Sequence, residues 1–205
     1  MRLTPLTSAC GLALAVLLAP PVEAQETSRA ASDVRPGTYV TDPGHTKITW
    51  SLTHFGFSTY VGQFSKVAAT LKLDPKAPQS ADLQVTIDTA SVGTLNPALD
   101  THLKAPDFLD VAKFPQASFK STAVKVTGER TADVTGDLTL HGVTKPVTLQ
   151  VTFIQGGQNP LDKKYSLGFQ ARTVIKRSEF GVKAYSPAVG EEVTLQIDTE
   201  LKAVN

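Results

Sequence analysis

The chain contains 205 residues, of which 20 are basic and 19 acidic, so its net charge is close to zero. This balance argues against a nucleic-acid partner and against any partner recruited by bulk charge. The single cysteine, Cys10, lies near the N-terminus. Disulfides and thiolate metal sites are therefore excluded from the rest of the chain.

The first 24 residues have the three parts of a secretory signal peptide. A basic start at Arg2 precedes an apolar core at 12–18, and Val22-Glu23-Ala24 supplies a small-residue cleavage site. We expect cleavage after Ala24 and a periplasmic or secreted mature protein.

Two other interpretations of this N-terminal segment are weaker. A membrane anchor needs roughly 20 apolar residues, whereas the apolar run ends at Pro20-Pro21. A lipoprotein signal at Cys10 would require the apolar run to precede the cysteine, and here the run follows it.

Residues 25–37 are small, polar and without periodicity, which predicts a flexible leader before a domain at 38–205. Most of that domain alternates with a period of two, the pattern of a strand with one buried face. The predicted strands are 48–54, 58–65, 67–73, 83–87, 117–126, 134–140, 147–153, 167–171 and 193–201. A change of parity near Thr122 indicates a bulge. About eight antiparallel strands in one all-β domain are typical of a small barrel or a sandwich.

One segment departs from this period and predicts a short helix. Asn96 can cap its start, Pro97 suits the first helical position, and Pro106 lies just beyond its end. Positions i, i+3 and i+4 on this helix are Leu99, His102 and Leu103, so we expect this face to lie against the sheet.

Two stretches predict corners between strands. The segment 136–147 places two alternating runs around Gly-Val-Thr-Lys-Pro, from Gly142 to Pro146. Gly156-Gly157 predicts another hairpin corner.

The strand parities project one set of apolar side chains inward. From alternation alone this set can either fill the barrel or line a hollow interior, and both readings stay open. The opposite faces are polar, which argues for a soluble barrel and against stable membrane insertion as an outer-membrane barrel. These outward residues are Thr49, Ser51, Thr53, Lys72, Gln84, Thr86, Thr148, Gln150 and Thr152.

A set of short motifs runs through nearly the whole mature length, and in this order the chain resembles the YceI-like family of secreted bacterial proteins. The motifs are Asp42-Pro43-Gly44-His45, His54-Phe55-Gly56, Asp100-Thr101-His102-Leu103, Asp107-Phe108, Phe114-Pro115, Phe119-Lys120-Ser121-Thr122, Gly136-Asp137-Leu138-Thr139, His141-Gly142-Val143-Thr144-Lys145-Pro146-Val147 and Arg177-Ser178-Glu179-Phe180-Gly181.

The resemblance implies a lipocalin-like antiparallel barrel capped by one short helix. It also implies an interior that binds a long apolar partner, such as an isoprenoid, a quinone or a fatty-acid-like chain. The family usually has an arginine where this chain has Leu99. Each buried methylene contributes about 0.8 kcal/mol, so such a chain can be held without a charged anchor.

The ligand-binding residues that we expect are the inward side chains, two histidines, and residues of the helix and of the loops. His102 shares the helical face of two leucines, and His54 continues the face of the first strand. Arg177 either meets a ligand headgroup or pairs with Glu179 or Glu192. The full set is Trp50, Leu52, His54, Leu71, Val85, Ile87, Leu99, His102, Phe108, Phe119, Leu138, Leu149, Val151, Phe153, Phe169 and Arg177.

Catalytic, metal and cofactor motifs are absent from the sequence. It has no Gly-x-Ser-x-Gly elbow, no phosphate-binding glycine loop and no cysteine nucleophile beyond Cys10. The four histidines do not have metal-ligand spacing. We therefore expect a binding protein without turnover, cofactor or metal. A hydrolase or isomerase acting on such a lipid is the alternative, and an exposed edge strand would offer a surface for a homodimer.

Overall fold

The computed structural model describes residues 27–204, and the predicted signal peptide at 1–24 lies outside them. Within this range twelve strands belong to one antiparallel sheet. They are β1 Thr27–Ser28, β2 Gly37–Thr41, β3 Lys47–His54, β4 Ser58–Phe64, β5 Val67–Leu73, β6 Asp82–Asp88, β7 Val92–Gly93, β8 Gln116–Gly128, β9 Thr131–Leu140, β10 Val143–Gln158, β11 Tyr165–Lys176 and β12 Glu192–Ala203. The described α-helix is α1, Pro97–Leu103, and short 3-10 turns lie at Ala31–Asp33, Pro43–His45, Pro78–Ser80, Thr89–Ser91 and Arg177–Phe180.

Eight of these strands close into a barrel. The ring runs β2-β5-β6-β8-β9-β10-β11-β12 and returns to β2, with every neighbouring pair antiparallel. Strand β12 pairs with β2 at one end and with β3 at the other, where β4 and β7 extend the wall. The expected eight-stranded lipocalin-like barrel with one helix is confirmed.

The parity change near Thr122 is also confirmed. The register between β8 and β9 shifts between Ser121 and Ala123, so one extra residue bends β8. Phe119 before the bulge and Val124 after it both line the interior.

Gly156 and Gly157 do not form the predicted corner, because β10 continues through them to Gln158. The chain reverses after that point, where the Asn159 amide donates to the Lys164 carbonyl at 2.8 Å. A Cβ on Gly156 would come within 2.9 Å of both Leu167 and Val34. Close packing therefore accounts for this glycine better than a turn does.

The corner after β9 is shorter than predicted. Leu140 and Val143 pair directly, and the two residues between them, His141 and Gly142, have φ values of 52° and 76°. Positive φ at both positions suits a two-residue hairpin loop. Pro146 lies inside β10, opposite Asp137, instead of in the corner.

The predicted leader at 25–37 contacts the barrel at several of its described residues. Thr27 and Ser28 pair with the end of β10, and Val34 is buried in a cluster with Tyr39 and Leu167. This segment has no hydrophobic periodicity, because Val34 is its one buried residue among those described.

The predicted helix is confirmed as α1. The Asn96 side chain accepts a hydrogen bond from the Leu99 amide at 3.3 Å, which caps the first turn. Leu103 packs on the core cluster around Trp50 and Phe119, so α1 covers the barrel end where β3 and β4 lie. No helix within residues 27–204 has the length and apolarity needed to cross a bilayer.

Gly136 on β9 packs closely against the neighbouring strand β8. A Cβ there would lie 2.4 Å from the Lys120 carbonyl oxygen and 2.4 Å from Phe119 Cζ. We expect Gly136→Ala to lower the free energy of unfolding by about 2 kcal/mol, measured by urea denaturation, because β8 must shift.

The matched control is Gly168→Ala on β11, where a Cβ would meet its nearest neighbour at an ordinary 3.6 Å. We expect no loss of stability for this variant. Equal losses for the two variants would contradict the steric explanation.

Candidate functional site: an apolar interior

The barrel encloses a main cavity of about 500 Å³. Its walls come from seven strands of the ring, all except β2, with Ile48 of β3, and they are mostly aliphatic and aromatic. This volume lies in the range of small-molecule binding cavities, which is roughly 300–1,000 Å³. The interior is therefore hollow, which decides between the two readings that alternation left open.

A second space, the end cavity, has a volume of about 160 Å³ and lies beneath α1. Trp50 and Leu52 of β3, Leu103 of α1 and Phe108 after the helix form part of its wall. Loop residues Val182 and Val189 complete this end of the barrel.

Four aliphatic side chains border both cavities, and we call them the waist: Ile48, Ile87, Leu138 and Leu195. They come from β3, β6, β9 and β12, four different parts of the wall. The two cavities therefore lie next to each other along the barrel and are separated only by side chains. An extended chain suits this shape better than a compact ligand does.

The few polar groups in the main cavity are mostly engaged by the protein. Thr46 and Thr199 share a hydrogen bond of 2.8 Å between their hydroxyl groups. Arg130 donates to the carbonyls of Phe153 and Ile154 at 2.8–3.0 Å. Such a wall offers dispersion contacts over most of its area and few polar contacts for recognition.

The Trp50 Nε1 atom is buried and has no hydrogen-bond partner within residues 27–204. The indole edge that carries this nitrogen packs on Gly62, where a Cβ would approach Cε2 to 2.5 Å. The N–H group therefore lies against strand β4.

The structure brings thirteen of the sixteen predicted ligand-binding residues to the two cavities. Ile87 and Leu138 border both cavities. Those that border the main cavity alone are Leu71, Val85, Phe119, Leu149, Val151, Phe153 and Phe169, and those that border the end cavity alone are Trp50, Leu52, Phe108 and Arg177.

The other three predicted residues, His54, Leu99 and His102, are absent from both cavity walls as the structure describes them. His54 packs on Phe55, with ring centroids 4.4 Å apart. His102 bonds to Asp107 at 3.2 Å, and its side chain is 42% exposed. On α1 only Leu103 reaches the interior, because a helix this short presents little more than one side chain per turn to the barrel.

The alternation of β12 identified further wall residues that the predicted set omitted. Leu195, Ile197, Thr199 and Leu201 all line the main cavity. Their period-two pattern was visible in the sequence. The closure of the ring was not visible in the sequence, and it is this closure that turns the apolar face of β12 inward.

Arg177 is buried, and it holds the loop at the closed end of the barrel. Its guanidinium donates to the carbonyls of Val182, Val189 and Gly190 at 3.1, 2.8 and 2.9 Å. Burial lowers the pKa of Arg177, and the nearby Glu191 opposes that shift. Within the described residues Arg177 forms neither of the predicted ion pairs, with Glu179 or with Glu192, and Glu179 pairs with Lys145 at 3.6 Å.

A charged cluster on the outside joins three parts of the chain. The carboxylate of Asp42 accepts from Lys202 Nζ at 2.8 Å and lies 2.9 Å from His45 Nδ1, and Lys202 also pairs with Asp162 at 2.5 Å. The ammonium of Lys202 and then the His45 ring lower the pKa of Asp42 to about 2, and Asp42 in turn raises the pKa of His45.

Potential metal-ligand atoms of Asp42, His45 and Glu200 lie within 4.8 Å of one another. Because Lys202 already neutralises this cluster, we interpret it as a structural ion-pair network.

A closed antiparallel barrel around an apolar cavity is the architecture of lipocalin-like proteins. Residues 39–201 match the model of the YceI-like domain. The chain belongs to the YceI-like family.

Relatives and solved structures agree with this assignment. A UPF0312 protein of Pseudomonas fluorescens (strain SBW25) is 42% identical over 160 residues, which cover 78% of this chain and 81% of that protein. The crystal structure of Burkholderia cenocepacia BcnA has a TM-score of 0.71 and 28% identity, and the match covers 78% of this chain and 98% of BcnA. A polyisoprenoid binding domain from Saccharophagus degradans has a TM-score of 0.63 over 83% of this chain and 100% of that domain; at 14% identity it shows similarity of fold alone.

Replacing Arg177 tests the loop that it holds. Arg177→Met keeps most of the side-chain volume but leaves three carbonyls without their donor. We expect a loss of about 3 kcal/mol in the free energy of unfolding, measured by urea denaturation. Arg172→Met, at an exposed position of β11, is the control and should change stability by less than about 0.5 kcal/mol. A similarly small change for Arg177→Met would show that water replaces the guanidinium.

The charged cluster predicts a pH dependence. The pKa of Asp42 falls from 3.8 to about 2 on folding, so its contribution to stability is present above pH 3.8 and is lost as the pH falls towards about 2. We expect Asp42→Asn to be less stable than the wild type at neutral pH, and this difference to shrink across that window, as measured by denaturant midpoints. Asp137→Asn, at an exposed position of β9, should leave the acid limb of the stability curve unchanged. A constant difference between wild type and Asp42→Asn down to pH 2 would contradict the assignment.

Proposed function

We propose that this protein binds a long, single-chain apolar molecule, an isoprenoid, a quinone with an isoprenoid tail or a fatty-acid-like lipid, and carries it unchanged. The observation that supports this proposal best is the hollow interior, in which a cavity of about 500 Å³ adjoins a second of about 160 Å³. A monomeric barrel that did not bind a ligand would gain stability by filling such a space, since cavities in a core are destabilising.

The energetics favour a long tail. Each methylene transferred from water contributes about 0.8 kcal/mol, which corresponds to about a fourfold change in dissociation constant. Affinity should therefore rise with chain length until the cavities are filled. The waist residues are flexible aliphatic side chains, so a thin chain can pass between them more easily than a fused-ring ligand.

Binding without turnover is the simpler interpretation of the wall. The lining residues of both cavities are mostly apolar. Of their charged groups, Arg130 and Arg177 are engaged with main-chain carbonyls, and Glu129 is an exposed residue of the loop between β8 and β9. General acid–base or nucleophilic catalysis would need a titratable group within hydrogen-bond reach of the bound molecule.

Export is also part of the proposal. The predicted signal peptide at 1–24 would deliver the barrel to the periplasm or the medium, where a carrier would shield an apolar lipid from water. Mass spectrometry of the mature protein should give an N-terminus at Gln25, and an intact Met1 in the extracytoplasmic fraction would contradict it.

The fold of the Saccharophagus degradans domain, which is described as polyisoprenoid binding, supports the same class of ligand. Membership of the YceI-like family supports a shared barrel scaffold. Neither similarity identifies the length or the head of the ligand in this protein.

Two adjacent alanines on β5 provide the test. Ala69 lines the main cavity, whereas Ala68 is exposed on the outer face. We expect Ala69→Phe to weaken binding of a long-chain isoprenoid at least tenfold, because the ring occupies the space of several methylenes. The only tryptophan of the chain, Trp50, lines the end cavity, so titration can be followed by its fluorescence.

Ala68→Phe is the matched control and should bind as the wild type does. Extraction of the complex after incubation should return the isoprenoid unchanged. Equal affinities of both phenylalanine variants and the wild type would place the ligand outside the barrel, and recovery of a modified lipid would favour an enzyme.

A further inference from the structure

The barrel wall has a gap between β10 and β11. These two strands pair from Gln150–Arg172 to Gln158–Tyr165. Beyond Gln150, residues 143–149 of β10 pair with β9, and residues 173–176 of β11 pair with β12. Within the described chain the two strands do not pair with each other over this part, and we call the resulting opening the slit.

Proline contributes to this opening. Pro146 lies on the β10 side of the slit and has no N–H group to donate to a neighbouring strand. Proline within a sheet is confined to edges that are not paired through its nitrogen. The 3-10 turn Arg177–Phe180 closes one end of the slit, where Phe180 is buried.

The slit lies beside the main cavity. It contains a groove of about 410 Å³ whose wall includes Val147 and Thr173, and both residues also line the main cavity. Thr173 is 9% exposed and lies between the main cavity and the groove. From this position the Thr173 hydroxyl can meet a polar atom of a ligand.

The charges at the slit favour an anion. Lys145, Lys176 and Glu179 border the groove, and Glu192 of β12 lies opposite Lys176 in the strand register. The pair between Lys145 and Glu179 is long, at 3.6 Å, and both side chains are more than 40% exposed. A bound anion can therefore approach both ammonium groups without disrupting a buried ion pair.

The opposite end of the main cavity is less suitable for an anion. Glu129 lies there beside Arg130, and the guanidinium of Arg130 is already engaged by two carbonyls. A negatively charged group at that end would share the cavity wall with the acidic residue Glu129.

We propose that the slit holds the head of the ligand and that this head is anionic, a phosphate or carboxylate attached to a single apolar chain. The inference rests on the proposed function, since the chain of the same molecule occupies the main cavity. The tail supplies most of the affinity, and Lys145, Lys176 and the Thr173 hydroxyl select the head.

The test compares two ligands that share one tail, a polyprenol and the corresponding polyprenyl monophosphate. We expect the wild type to bind the phosphate about tenfold more tightly than the alcohol at low ionic strength, and this ratio to fall as salt is added. The double variant Lys145→Gln/Lys176→Gln should bind both ligands with the affinity that the wild type has for the alcohol.

The control is Lys72→Gln/Lys120→Gln, which removes the same charge from exposed positions of β5 and β8. It should keep the tenfold ratio. Inorganic phosphate alone, at millimolar concentration, should not displace the polyprenyl phosphate, because it lacks the tail.

Each outcome separates the two proposals. If the wild type binds both ligands equally, or if the slit variant keeps the ratio, the head lies elsewhere and the slit proposal is wrong while lipid binding stands. If neither ligand binds, both proposals are wrong. Displacement by inorganic phosphate alone would make the slit a simple anion site and would also overturn the proposal.

Discussion

Closure of the backbone ladder is the constraint on which the rest of this structure depends. Strand β2 is only five residues long, yet it joins β5 to β12 and completes the ring of eight strands. Where strands of the ring pair, main-chain groups are satisfied within the wall, and side chains must point either inward or outward. Alternation along each strand then becomes an apolar interior and a polar surface.

A ring of this size leaves space that its side chains do not fill. Small eight-stranded barrels can pack solid or hold one ligand. Here glycine and alanine occur where larger side chains would obstruct the interior or the neighbouring strand: Ala69 and Ala171 face the main cavity, and Gly136 lies against Phe119. The two cavities and the waist between them follow from these local choices of side-chain size.

The two charged features of the barrel have different physical roles. Arg177 is buried, and it replaces water for three loop carbonyls, so its positive charge stabilises the closed end. Lys145 and Lys176 lie at an opening where solvent remains, and they are available to a ligand at small cost in desolvation. The unpaired edges of β10 and β11 keep that opening accessible.

The sequence alone determined most of the strands, the bulge at Thr122, the capped helix and most of the inward face, because all of these depend on local backbone geometry and on a period of two. It did not predict β2, which closes the ring. It identified thirteen of the wall residues, and its errors came where one residue type has two uses. Gly156 serves close packing instead of a turn, and Pro146 marks a strand edge instead of a corner. Tertiary structure alone decided that the interior is hollow and that Val34 anchors the leader. It also decided that Lys145 and Glu179, which are 34 positions apart, meet at the slit. These features depend on how many strands close the ring and how their ends align, and such non-local quantities leave no periodic signal in the chain.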